Sequence, residues 1–174
     1  MNTGPNDDDR HAADTPTHRM LHTRGEYLDA LRAAFAQVAA AGCREVFLCD
    51  RDFAEWPLGE VAVVDALTRW ALAHRRITVL AAHYDEVVRR HPRWVTWRRQ
   101  WSHVVDCRAA EDADAAALPT MFLAPGVVTV RLFDAENHRA SVSTDMADAV
   151  RAREALDAVL QRSSTAFAAT TLGL

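Results

Sequence analysis

Leu118-Pro119-Thr120-Met121-Phe122-Leu123-Ala124-Pro125-Gly126, followed at 127–133 by Val-Val-Thr-Val-Arg-Leu-Phe, reads as two apolar strands joined by a Pro-Gly turn. Proline presets the first corner of such a turn and glycine tolerates the left-handed second corner, so the spacing predicts a tight hairpin and therefore antiparallel pairing. Upstream the pattern differs. Residues 45–49 (Glu-Val-Phe-Leu-Cys), 77–81 (Ile-Thr-Val-Leu-Ala) and 103–108 (His-Val-Val-Asp-Cys-Arg) are short apolar runs separated by helical segments, which predicts crossover units and parallel strands. The two patterns together specify a mixed, largely parallel α/β sheet flanked by helices.

Thr23 with Glu26 three positions on has the form of a capping box, and Tyr27, Leu28, Leu31, Phe35 and Val38 follow at helical spacing until Gly42. A second helix is expected over 60–74, after the loop Trp56-Pro57-Leu58-Gly59. Pro92 marks either a kink or the first turn of a new helix. Beyond the hairpin, 139–143 reads as a further strand, and Thr144 or Asp145 as the cap of a last helix carrying Val150, Leu156, Val159 and Leu160. The expected organisation is a disordered tail over 1–24, a single α/β domain over 25–163 and an extension over 164–174. Its uncharged residues 166–174 are expected to add a strand to a sheet edge of their own or another protomer, or simply to dock on their own domain.

The chain has 174 residues, 49% of them hydrophobic, enough for one core. Its formal charge is -4, which excludes the overall basic bias of a general nucleic-acid or anionic-membrane binder, so any anion site must be local. Cys43, Cys49 and Cys107 form no CxxC pair and fall in or beside strand-like runs, where thiols act as small hydrophobes rather than a disulfide framework. With no signal-peptide core and no uninterrupted run of about 18 apolar residues, a soluble, cytoplasmic protein is expected, with no membrane partner.

The order of elements resembles one half of the phospholipase D-like fold, and 118–126 resembles that family's HxK(x)4D hairpin with its trailing glycine. The strand and Asn/Arg loop that follow, 127–139, are similar as well. A closer similarity is to a family of small bacterial proteins of this fold, which implies no particular activity. Carried over by position, the family's nucleophilic histidine falls on Leu118, its lysine on Thr120 and its aspartate on Pro125. Neither leucine nor threonine supplies a nucleophilic imidazole or a cation, so the resemblance implies a fold that has lost its phosphodiester chemistry. It also implies a two-fold homodimer.

Three functions are therefore expected in competition. The first is a non-catalytic binding or regulatory module without a cofactor. The second is a hydrolase or transferase for phosphorylated or nucleotide substrates, because strand ends at Asp50, Arg51 and Asp52 and at His83, Tyr84 and Asp85 would gather Asp50, Asp52, His83 and Asp85 in one crevice. The same aspartates equally suit loop and helix caps. The third uses the segment 83–103, HYDEVVRRHPRWVTWRRQWSH, whose Trp94, Trp97 and Trp101 share one helical side. Arg90, Arg93, Arg98 and Arg99 beside those rings, together with Arg139, form a candidate site for a phosphate-containing ligand or nucleic acid. Against it stands ordinary core packing of an aromatic stripe. No phosphate loop, GxSxG or HExxH is present, and His11, His18 and His22 have no metal-ligand spacing.

Overall fold

The computed structural model describes residues 17–72 and 74–168. Strand β1 (His18–Leu21) precedes helix α1 (Arg24–Ala41), and the capping box forms: Thr23 Oγ1 accepts the Glu26 N–H at 3.2 Å, while the Glu26 carboxylate accepts the Thr23 N–H at 3.1 Å. The far end of α1 stops at Gly42, whose φ of 66° is the left-handed value glycine adopts freely. Backbone donors, first the His22 N–H, hold the Glu26 carboxyl below its ordinary range. A carboxyl shifted downwards stabilises the fold at neutral pH, and that contribution disappears as pH falls through the lowered value. Thr23→Ala is expected to cost about 1 kcal/mol in urea unfolding at pH 7.

The sheet then grows by two kinds of connection. Strand β2 (Glu45–Cys49), helix α2 (Val61–Trp70) and strand β3 (Arg76–Ala81) make the first crossover; helices α3 (Asp85–Arg90) and α4 (Pro92–Gln100) lead to strand β4 (Val105–Ala109) in the second. Proline begins α4 as a new helix, where its missing N–H costs nothing. After helix α5 (Asp112–Ala115) come β5 (Thr120–Ala124), β6 (Val128–Asp134) and β7 (Arg139–Ser143), then helix α6 (Met146–Leu160) and a two-residue strand β8 (Ser164–Thr165). The strand order is β1-β7-β6-β5-β2-β3-β4-β8.

Parallel pairing is confined to β2–β3 and β3–β4; every other pair is antiparallel. The sheet is thus mixed, with a smaller parallel block than the sequence suggests. Parallel strands need a crossover of about a dozen residues, and only α2 and the α3–α4 pair supply one in this sheet. The expected hairpin is present: the Val127 N–H donates to the Ala124 carbonyl at 2.9 Å across Pro125-Gly126, with Gly126 at φ 76°.

Alternate strand residues face opposite layers. Val46, Leu48, Ile77, Val79 and Phe122 join α1, α2 and α4 in the main core, whereas Phe47, Cys49, Leu80, Met121 and Leu123 pack under Ala149, Ala152 and Leu156 of α6. One difference from the sequence reading lies at the chain's start. Residues 18–21, expected within a disordered tail, pair with β7 from His18↔Ser143 to Leu21↔Ala140. Short polar strands of this kind gain their order from an open sheet edge rather than from apolar periodicity. The extension forms β8 on its own sheet, at Arg108↔Thr165 and Ala109↔Ser164; the rest of the tail expectation, residues 1–16 and 169–174, lies outside the described residues.

Candidate functional site

Asp50 follows β2 and Thr120 opens β5, so the antiparallel pairing of those strands sets their side chains together at the carboxyl ends of the parallel block. Asp50 Oδ1 accepts the N–H groups of Asp52 at 3.0 Å and Phe53 at 2.7 Å, and its Oδ2 accepts the Thr120 hydroxyl at 3.0 Å. The carboxylate is therefore a brace for the loop after β2. That loop requires one, since Phe53 is fully buried at φ 58°, a left-handed conformation that costs a residue with a Cβ about 1–2 kcal/mol. Its carbonyl accepts the Nε2–H of the buried His91 at 2.8 Å, which places a proton on that ring nitrogen and ties the loop to the start of the next helix. Asp52 holds its own turn by accepting the Ala54 N–H at 2.9 Å.

Strands β2 and β3 are neighbours and their ends meet through the backbone, the Arg51 carbonyl accepting the Ala82 N–H at 2.9 Å. Asp85 is 93% exposed, and His83 Nδ1 lies 3.8 Å from its carboxylate, a loose contact at the surface. Among the described residues no group of three or more His, Cys, Asp or Glu side chains is placed to hold a metal ion. Between them, Tyr84 turns inward, its hydroxyl 2.8 Å from the Val79 carbonyl and 2.9 Å from that of Arg108. Near Asp50 lies the buried Tyr27 hydroxyl, without a hydrogen-bond partner among the described residues; burial, then the Asp50 charge, push its ionisation well above the ordinary range.

Nor do the arginines of 83–103 make one patch. Trp94 and Trp97 are buried, with ring centroids 6.5 Å apart, and Trp101 is half-buried against Trp97 at 6.4 Å, so the aromatic stripe is core. Arg90 Nε is held 2.5 Å from Glu86, Arg93 donates to the Gly59 carbonyl, and Arg99 alone among the four has no partner among the described residues. Arg98 corrects the sequence reading most clearly: it is buried, its Nε lies 3.1 Å from Cys107 Sγ, and its guanidinium donates to the Phe167 carbonyl while covering the Phe167 ring at 4.5 Å. It fastens the chain's last described residues to α4. Arg139 opens β7 opposite Asp134, and its neighbour Asn137 braces the same turn by donating to Asp134 at 2.8 Å. Arg139 is exposed there without an ion-pair partner among the described residues.

Where the resembled family would place its histidine and lysine, the chain has a groove lined by Leu118, Thr120, Arg131, Leu132 and Phe133. Arg131 and the exposed Phe133 share its wall, guanidinium 5.6 Å from ring centroid. These two were missed in the sequence, although their alternate spacing on a strand whose partner is Met121 marks them as facing the α6 side rather than the main core. One cation and an aromatic face can hold an anionic or planar group, and supply neither nucleophile nor general base.

Several solved structures share this fold, among them the following two. The structure of TrmBL2, an archaeal chromatin protein described with a novel mode of DNA binding, superposes at a TM-score of 0.61 with 12% identity, over 89% of this chain and 56% of that one. This chain thus spans just over half the length of that protein. NucT from Helicobacter pylori superposes at 0.55 with 9% identity, over 86% of this chain and 98% of that one. At such identities the likeness is one of fold alone. No curated protein sequence matches the chain. The family is shown by sequence: the model named Domain of unknown function (DUF7931) matches residues 27–169, and the chain belongs to that family.

Proposed function

We propose that this chain is a non-catalytic binding or regulatory module on a phospholipase D-like half, with its ligand groove at Arg131 and Phe133. The observation that carries the reading is the Thr120–Asp50 hydrogen bond at 3.0 Å. A hydroxyl stands where the family's chemistry would need a cation, and it is occupied by a carboxylate that also braces a buried loop. The remaining position of the pair is Leu118, which cannot attack phosphorus. The sequence contains no lysine at all, so no nearby lysine takes over the missing charge.

Free Cys43, Cys49 and Cys107 support a reducing, cytoplasmic setting, and no described helix is long and apolar enough to cross a membrane. A two-fold dimer belongs to the same proposal, and light scattering should return twice the 19.3 kDa chain mass. The test of lost chemistry uses bis(p-nitrophenyl) phosphate and a single-stranded oligonucleotide. Purified protein is expected to hydrolyse neither above buffer. Turnover that disappears in Thr120→Ala or His83→Ala would overturn the reading in favour of the strand-end enzyme.

A further inference from the structure

At the opposite end of the sheet from that groove, the folding of the chain collects cations that are far apart in sequence. Arg44 precedes β2, and its carbonyl accepts the Arg76 N–H at 2.9 Å. The Cys43 carbonyl accepts both the Trp70 indole N–H and Arg75 Nη1, each at 2.7 Å, which draws the last turn of α2 and its exposed Arg69 to the same place. Arg75 and Arg76 then wall a groove of about 360 Å³ against Ser102 and His103 at the end of α4, where Arg99 is also exposed.

The acids here do not balance this charge. Asp106 pairs with Arg76 at 2.8 Å, and Glu45 is engaged by Arg153 at 3.4 Å. Asp65 lies one helical turn before Arg69 without an ion pair among the described residues. Among the described residues Arg44, Arg69 and Arg99 have no carboxylate partner and Arg75 bonds only to a carbonyl, in a chain whose overall formal charge is -4. Segregation of positive charge on an acidic protein gives a local field for polyanions without general stickiness. The groove adds a flat surface: the exposed His103 ring is 5.8 Å from the half-buried Trp101, itself stacked on Trp97.

We propose that this end of the sheet, built from Arg44, Arg69, Arg75 and Arg99 beside the His103–Trp101 rings, binds single-stranded nucleic acid. Guanidinium groups receive successive phosphates, and a base stacks on the exposed ring, the arrangement single-strand binders use without sequence readout. The site is remote from Thr120, so it stands or falls separately from the lost phosphodiester chemistry.

The test is fluorescence anisotropy with a labelled mixed-sequence 20-nucleotide DNA. Affinity is expected to fall about 50-fold between 50 and 200 mM salt if roughly four phosphates are neutralised, at a log–log slope near 0.7 per phosphate. The double variant Arg69→Gln/Arg99→Gln, both exposed positions, should bind at least about tenfold more weakly at 50 mM salt and lower the slope by about 1.4. Arg90→Gln/Arg93→Gln should leave both readouts unchanged, and a duplex of the same sequence should bind more weakly than the single strand. Absence of binding, equal binding by Arg69→Gln/Arg99→Gln, preference for the duplex, or retention only on phosphatidylglycerol vesicles would each overturn the proposal.

Discussion

Trp94→Ala is expected to destabilise the protein by about 3–5 kcal/mol, the range for deleting a fully buried aromatic side chain. Trp94 is 0% exposed and sits among Trp97, α2 and the parallel strands, so the vacated space is enclosed and cannot refill from solvent. Against a typical total of about 5–15 kcal/mol, such a loss removes at least about a fifth of the margin. The indole N–H has no partner among the described residues, so its deletion breaks no hydrogen bond there and relieves an uncompensated buried donor. Trp94→Phe, which keeps most of the volume and drops the donor, should therefore cost under about 1.5 kcal/mol. Paired chemical denaturation curves check both values. A docking helix would behave differently: Trp94→Ala would leave the unfolding midpoint in place, and that result would return the tryptophan stripe to the surface.

The contrast between Trp94 and Arg98 shows where local sequence stops being informative. Spacing placed the three tryptophans on one side of a helix, and burial followed, because an apolar stripe has one stable destination. It left Arg98 beside the rings as a candidate anion site, because its neighbours Cys107 and Phe167 arrive from β4 and from the chain's end. A charge at the margin of an apolar stripe reads as solvent-facing unless the distant partner is known. Asp50 is the same case: an aspartate after a strand fits a catalytic crevice or a loop brace, and only the hydroxyl of Thr120, 70 positions away, decides between them. The hairpin at Pro125-Gly126, the Thr23 capping box and the Gly42 stop were legible because their determinants lie within a few residues. The antiparallel character of most of the sheet was less so. It depends on which strands become neighbours, and the chain leaving β4 crosses β3 and β2 to set β5 against the far edge of β2, a choice no local pattern records.

That dependence on distant partners makes Phe167 the most revealing single position at the chain's end. Cys107 is 3% exposed, and burial pushes its thiol upward in pKa even though the Arg98 guanidinium pulls the other way. Its cover is thin: two paired residues in β8, one hydrogen bond from the Ala166 N–H to the Cys107 carbonyl at 3.0 Å, and the Phe167 ring. The ring stacks on Tyr84 at 4.9 Å with 7° between planes and lies beneath Arg98 at 4.5 Å. Aromatic stacking contributes roughly 0.5–1.5 kcal/mol. The cation–π contact adds about 0.5–2 kcal/mol. Together they also offset the φ of 48° that Phe167 adopts. Removing the ring should weaken the cover by about 1–3 kcal/mol, and since each 1.4 kcal/mol is a factor of ten, local opening should rise about five- to 150-fold. In a Cys43→Ser background, Phe167→Ala should accelerate labelling of Cys107 by an anionic aromatic disulfide reagent by that factor, while Cys49, buried under α6 and remote from the cover, labels at its former rate. Arg98→Met, which keeps an apolar stem but loses the donors to Phe167 and Cys107, should move Cys107 in the same direction. Equal labelling in all three proteins would mean that Cys107 is shielded by the sheet itself and that the last described residues merely rest against it.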